Sequence, residues 1–211
     1  MKPKRIILVR HGESVGNANP VHYETVQDWS VSLTALGQEQ AKSAGRKIRE
    51  VIGSESVYAY LSPWYRARET FEAIVGELGD RVVRAIEDPR LREQEFGHLR
   101  AMTDNMAIKK ERIEFGTFYY RIPDGESGAD VYDRISTFLE TLHRDFGKVS
   151  YPENALVVTH GVALRVFLMR WFHWTVEEYE SIRNPANGAV VIMEKKDGGR
   201  YRIFTPLETR V

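Results

Sequence analysis

Two stretches of this chain are apolar at every successive position, Ile6-Ile7-Leu8-Val9 near the start and Ala155-Leu156-Val157-Val158 in the last third. Side chains along a strand point to opposite faces in turn, so a strand with one wet face alternates polar and apolar residues. A strand that never alternates must be covered on both faces, as in parallel sheets clothed by helices. Val57-Tyr58-Ala59-Tyr60-Leu61 reads as a third such strand, and Val82 to Ile86 as a shorter, weaker one. Between them the period changes. Thr34 is placed to cap a helix with apolar positions Leu36, Ala41, Ala44, Ile48 and Ile52, and another helix is expected from about Tyr65 to Leu78. Val131, Ile135, Phe138, Leu142 and Phe146 step by three and four after Ser127, with Gly147 as the stop. Val162 to Trp171 reads as a helix that is apolar nearly all round, and Ala189–Met193 and Tyr201–Thr205 as two closing strands joined at Asp197-Gly198-Gly199. This alternation predicts one α/β domain over residues 1–211, a three-layer α/β/α arrangement around a mostly parallel sheet. From Gly97 to Gly125 no period stands out, and Lys109-Lys110 mixes with Phe115, Phe118, Tyr119 and Tyr120; a lid-like insertion is expected there.

Composition narrows the function. With 211 residues the chain buries a core large enough to need no staple. There is no cysteine, which excludes disulfides, zinc–thiolate sites, iron–sulfur clusters and a cysteine nucleophile. Thirty basic residues balance thirty acidic ones, so neither nucleic acid nor a membrane surface is an expected partner. The apolar run after Met1-Lys2-Pro3-Lys4-Arg5 is too short for a signal peptide, and Val162 to Trp174 carries Arg165 and Arg170; a cytoplasmic protein is expected. Oligomeric state leaves no trace in the sequence.

The strand ends carry the chemistry. In open α/β sheets ligands bind beyond the carboxyl ends of the strands. The first strand runs into Arg10-His11-Gly12-Glu13-Ser14-Val15-Gly16-Asn17, and the second into Leu61-Ser62-Pro63-Trp64-Tyr65-Arg66-Ala67-Arg68. The strand at 155–158 ends in Thr159-His160-Gly161, repeating the His-Gly pair. Arg10, His11, Arg66 and His160 would thus share one crevice, where mutual repulsion is tolerable chiefly around a multiply charged anion. A phosphate group fits, held by bidentate arginines and helix N-terminal amides. Arg68 reads instead as a solvated residue pairing with Glu69 or Glu72.

No G-x-x-x-x-G-K-[ST] loop is present, nor an H-E-x-x-H or similar spacing among the histidines, so no nucleotide cofactor or metal is expected. The covalent nucleophile left for a phosphate site is a histidine, whose neutral nitrogen attacks while arginines stabilise the equatorial oxygens. The proton for the leaving oxygen would come from Leu91-Arg92-Glu93-Gln94-Glu95, where composition does not choose between Glu93 and Glu95.

Arg10-His11-Gly12 with Asn17, Ser62-Pro63-x-x-Arg66-Ala67, Leu91-x-Glu93 with Gly97, and Thr159-His160-Gly161, in this order, resemble the histidine phosphatase superfamily over roughly residues 5 to 194. That resemblance implies that His11 is the phosphorylated nucleophile and Glu93 the proton donor. It also implies that Arg10, Asn17, Arg66 and His160 form the phosphate pocket, with Gly161 as a backbone contact. Gly125-Glu126-Ser127 resembles a segment of phosphatase members and is read as capping the next helix. Arg165 is read as a structural ion-pair partner, and Lys109, Lys110, Arg112 and Arg121 as solvated. Mutases of the family typically carry a longer, arginine-bearing insertion; here Phe115 to Arg121 is aromatic, closer to mutase-like proteins of plants, fungi and bacteria. The leading expectation is a metal-independent phosphatase acting on a small phosphorylated metabolite. The alternatives are a cofactor-dependent phosphoglycerate mutase and a catalytically dead phospho-ligand binding module.

Overall fold

In the computed structural model, which describes residues 2–97 and 105–210, six strands form one sheet. They are β1 (Arg5–Arg10), β2 (Val57–Leu61), β3 (Val82–Glu87), β4 (Asn154–Thr159), β5 (Val190–Lys195) and β6 (Tyr201–Ile203), in the order β3-β2-β4-β1-β5-β6. The first four pair in parallel, and β5 and β6 add to the β1 edge antiparallel. The central register sets Ile6 beside Ala155 and Val9 beside Val158, so the two fully apolar runs are neighbours.

Period-two geometry divides these runs between two cores. Ile6, Leu8, Ala155 and Val157 face one cluster, Ile7, Val9, Leu156 and Val158 the other. After the short α1 (Val15–Ala18), helices α2 (Ala35–Ile52) and α3 (Tyr65–Leu78) cover the second face with Ala44, Ile48, Ile74 and Leu78. The first face is covered by α5 (Gly128–Phe146), which follows α4 (Asn105–Phe115), and by α6 (Gly161–Phe172); α7 (Val176–Ser181) follows them. Thr34 and Ser127 cap α2 and α5 as expected, each accepting a hydrogen bond from a first-turn amide. No helix among the described residues is long and apolar enough to cross a membrane.

Several expectations need correction. Leu36 lies on the outer face of α2 at 55% exposure, because only the stripe from Ala41 to Ile52 meets the sheet. The insertion is less lid-like than expected. Its residues 98–104 lie outside the described residues, but α4 is helical, and Phe118, Tyr120 and Ile122 are buried. Phe118 packs on Tyr132 and Tyr179, and the half-buried Glu180 carboxylate accepts its amide at 2.8 Å. The two ends of the insertion meet. Glu126 N donates to Glu95 O at 2.9 Å, and Gly97, at φ +57°, stands where a Cβ would come within 2.4 Å of Pro123 O.

Candidate active site

His11 is the first residue beyond β1, 3% exposed, and its ring is fixed at both nitrogens. Nδ1 lies 2.7 Å from Gly12 O, an atom that only accepts. Nε2 lies 3.2 Å from Arg66 Nε, an atom that only donates. The neutral ring therefore carries its proton on Nδ1 and its lone pair on Nε2. The turn under it demands glycine: a Cβ on Gly12 would sit 2.2 Å from Gly37 O, and Gly12 N is held by Thr70 Oγ1 at 3.1 Å.

Arg66, in the first turn of α3, is 2% exposed. Its Nη1 donates to Asp28 O at 2.6 Å and lies 3.0 Å from Asp28 Oδ1, while its guanidinium stacks 4.7 Å from the Trp64 ring. His160, directly after β4, is fully buried, with its ring centroid 5.0 Å from that of His11 and 5.1 Å from that of Trp64. Its Nε2 is hydrogen-bonded to Ser62 Oγ at 2.7 Å. Gly161 opens α6 against Asn184, whose Cγ would be 3.0 Å from an added Cβ.

Glu93 closes the ring of groups. Its two carboxylate oxygens accept from Val162 N and Ala163 N, each at 3.2 Å, across the N-terminus of α6. Arg10 donates through Nη1 to Pro185 O at 2.6 Å, whereas its buried Nε has no hydrogen-bond partner among the described residues. Burial lowers the Arg10 pKa, nearby Glu93 works against that, and Arg66 adds to it. Asn17 is more exposed, and its Oδ1 accepts from Ser14 N and from Asn187 Nδ2, both at 3.1 Å. All seven residues anticipated for the site thus stand at the carboxyl ends of β1, β2 and β4 or in loops against them.

The remaining cations follow their sequence reading only in part. Arg68 pairs with Glu87 at 2.6 Å rather than with Glu69, which accepts from Leu33 N, also at 2.6 Å. Arg165 makes no carboxylate pair among the described residues; it binds Asn184 Oδ1 at 2.6 Å and Ile182 O at 2.8 Å. Arg112 is half-buried against Phe96 with Nη2 3.0 Å from Gln94 Oε1, and burial lowers its pKa. Lys110 and Arg121 are exposed and paired with Glu114 and Asp130; the Lys109 side chain lies outside the described residues. Within Gly125-Glu126-Ser127 it is Ser127 that caps α5, and Glu126 has another task. It takes Arg92 at 2.5 Å and Arg134 at 3.0 Å, while Arg134 also donates to the carbonyls of Arg90, Arg92 and Glu93.

Sequence reasoning missed Asp28, Thr70, Asn187 and Arg134. Asn187 Nδ2 binds His11 O and Gly12 O at 3.2 and 3.3 Å, and the Asn184-Pro185-Ala186-Asn187-Gly188 cluster is a turn signal that pointed there. Asp28 had no such signal, since it opens an isolated 3₁₀ turn, Asp28–Ser30, too short to show a period. Beside Trp64 opens a cleft of about 720 Å³, walled by Tyr23 to Trp29 on one side and by Arg92, Glu95 and Gly97 on the other. Its aromatic rings are Tyr23, Trp29 and Trp64, not those of the 115–121 segment, where Phe115 and Tyr119 face solvent.

Known proteins resemble this chain over nearly its whole length. The chain is 44% identical over 214 residues to the phosphoglycerate mutase-like protein AT74 of Arabidopsis thaliana, covering 95% of this chain and 68% of that one. It is 30% identical over 300 residues to the broad-range acid phosphatase DET1 of Saccharomyces cerevisiae, covering 98% and 90%. The fold superposes on mycobacterial glucosyl-3-phosphoglycerate phosphatase, solved with VO3, with a TM-score of 0.73 at 21% identity over 96% and 98% of the two chains. Residues 6–203 match the family model itself, and the chain belongs to the histidine phosphatase superfamily, branch 1.

Proposed function

We propose that this chain is a phosphatase that hydrolyses small phosphate monoesters through a phosphohistidine on His11, with Glu93 as proton donor and without a metal. One observation carries this reading: His11 is held as the Nδ1–H tautomer, with the Nε2 lone pair beside an arginine. On substrate binding the Arg66 Nε–H would pass from Nε2 to a phosphate oxygen, uncovering the lone pair. Nε2 then bonds to phosphorus as the ester P–O bond breaks, and the leaving oxygen takes its proton from Glu93. Water next attacks the phosphorus, the P–N bond breaks, and the water proton goes to the Glu93 carboxylate. Inorganic phosphate leaves and His11 is neutral again. Arg10, Arg66, His160 and the Gly161 amide would bear the oxygen charge throughout, while general-acid help is worth about 10²–10⁴-fold.

The mutase alternative needs cations to hold a carboxylate and a second phosphate. The cleft beside Trp64 offers instead the carboxylates of Glu24 and Glu95, while its Asp28 is tied to Arg66 and its Arg92 to Glu126. This wall favours phosphate esters with a planar, uncharged or cationic body. The name of the yeast relative, a broad-range acid phosphatase, supports hydrolysis as well. The test is rapid quenching with ³²P-labelled p-nitrophenyl phosphate, followed by mapping of the label. An acid-labile, base-stable label on His11 is expected; a label on His160 or on a serine overturns the assignment. Incubation with 3-phosphoglycerate and catalytic 2,3-bisphosphoglycerate decides the outcome: formation of 2-phosphoglycerate faster than release of phosphate from any tested ester establishes the mutase.

A further inference from the structure

A second cavity of about 640 Å³ lies far from His11. Lys2, just before β1, lines it, whereas His11 follows β1 at the other end. Arg170 to His173 line it from the C-terminal end of α6, whose N-terminus stands at the phosphate site; twelve helical residues separate the two by about 18 Å. Gly199, Arg200 and Tyr201 close it from the β5–β6 turn, and Ser136, Glu140 and His143 from α5.

Its charge is one-sided. Lys2, Arg170 and Arg200 are permanent cations, His143 and His173 are ionisable, and Glu140 is the lone carboxylate of the lining. None of the three permanent cations makes an ion pair among the described residues; Arg170 donates to Ser136 Oγ at 3.1 Å and stacks on Tyr132. Nearby on the same edge, by contrast, Lys4 and Arg5 are both neutralised by Glu55. The carbonyl end of α6 attracts positive charge, but that effect dies away within a turn and does not account for Lys2 or Arg200 from other elements. The floor is prearranged: His143 stacks on Trp171 at 5.0 Å and 24°, and Tyr201 meets the Trp171 edge at 90°. Burial depresses the His143 pKa, and Lys2 and Arg170 depress it further, as a site of positive potential requires.

We infer that this cavity binds a small polyanion, a molecule with two or more phosphate or carboxylate groups, separately from the catalytic site. The volume lies within the usual range for small-molecule sites, and three unmatched cations suit a pair of anionic groups better than one. This inference does not depend on the phosphatase reading.

The test is histidine NMR of the full chain titrated with pyrophosphate. The His143 ring signals are expected to shift saturably, and its titration midpoint to rise, because a bound anion stabilises the imidazolium facing Lys2, Arg170, Arg200 and Glu140. In Lys2→Gln/Arg200→Gln the affinity read at His143 is expected to fall about tenfold, with the His11 signals as in the parent, reporting an intact fold. Each substitution removes like-charge repulsion at the surface, so the variant has no reason to unfold. His143 signals that stay fixed up to about 10 mM pyrophosphate, or move equally in the variant, overturn the inference. Movement with anionic phospholipid vesicles but not with pyrophosphate overturns it too, in favour of a membrane contact.

Discussion

Arg66 Nε donates to His11 Nε2 across 3.2 Å, so the atom expected to attack phosphorus is covered, in the free protein, by a group expected to hold the phosphate. In the proposed reaction the guanidinium exchanges one acceptor for another. Arg66→Lys keeps the charge but loses the planar fork and the Trp64 stack. It is expected to lower kcat/KM for p-nitrophenyl phosphate by about 10²–10³-fold. Asp28→Asn, which only loosens Arg66, is expected to cost roughly tenfold or less, mainly in KM. Steady-state kinetics on both variants decides it; equal losses would place Asp28 in the reaction rather than behind it.

Glu93→Gln separates leaving groups. An alkyl phosphate loses a basic oxygen that needs a proton, whereas p-nitrophenolate leaves with less help. The expected loss is about 10²–10⁴-fold for enzyme phosphorylation by an alkyl ester and clearly smaller for the aryl ester. Single-turnover measurements with both esters check this. Equal losses would reduce Glu93 to its contacts with the α6 amides and turn attention to Glu95.

Arg134 touches no group of the phosphate pocket directly, yet it holds the carbonyls of Arg90, Arg92 and Glu93 together with the Glu126 carboxylate. Arg134→Gln is expected to cost about 2–4 kcal/mol of stability, because the half-buried Glu126 loses a partner. It is also expected to lower kcat about tenfold with KM nearly unchanged, since Glu93 loses its frame while the phosphate grip stays intact. Denaturant titration and kinetics on one preparation measure both. A stability loss without a kcat loss would make the network purely structural.

The sheet and the site differ in how plainly the residues announce them. Ile6–Val9 and Ala155–Val158 had to be buried on both faces, and that condition alone joins them with helices above and below. Arg10, His11, Arg66 and His160 were legible because each follows a recognisable strand, so position along the chain fixed position in space. Asp28 and Arg134 were not. Asp28 reaches the site from a three-residue 3₁₀ turn too short to show a period, and the role of Arg134 depends on tertiary packing that brings α5 beneath the Glu93 segment. The aromatic residues at 115–121 misled for a related reason: composition does not reveal which side of a loop is wet, and Phe118 and Tyr120 turn inward.

Stability should depend on pH through Glu153. Its carboxylate accepts from Ser56 Oγ at 2.6 Å and Ser56 N at 3.1 Å, which lowers its pKa below the ordinary carboxylate value. A group depressed in the folded state stabilises above its unfolded pKa and ceases to do so as pH falls through the folded one. Glu153→Gln is therefore expected to cost on the order of 1 kcal/mol near neutrality, trimmed by solvent exposure. The gap to the parent should narrow as pH falls below the ordinary carboxylate range and close once the folded value is passed. Thermal melts from pH 7 to 3 test it; a gap that stays constant would assign the loss to shape rather than charge.

The seam at Gly97 and Glu126 has an evolutionary meaning. Because Glu95 and Glu126 are hydrogen-bonded neighbours and Gly97 lies against Pro123, the intervening chain departs and returns through a single doorway. Chain added or removed beyond such a doorway shifts loop-closure entropy only logarithmically, by about 0.6 kcal/mol per doubling of length. The Glu95–Glu126 bond that closes the doorway need not change with the length beyond it. Chain length can thus change beyond the doorway without moving Glu95 and Gly97, the residues beside it that line the cleft, so the size of the insertion and the shape of the opposite wall from Tyr23 to Trp29 are separate variables.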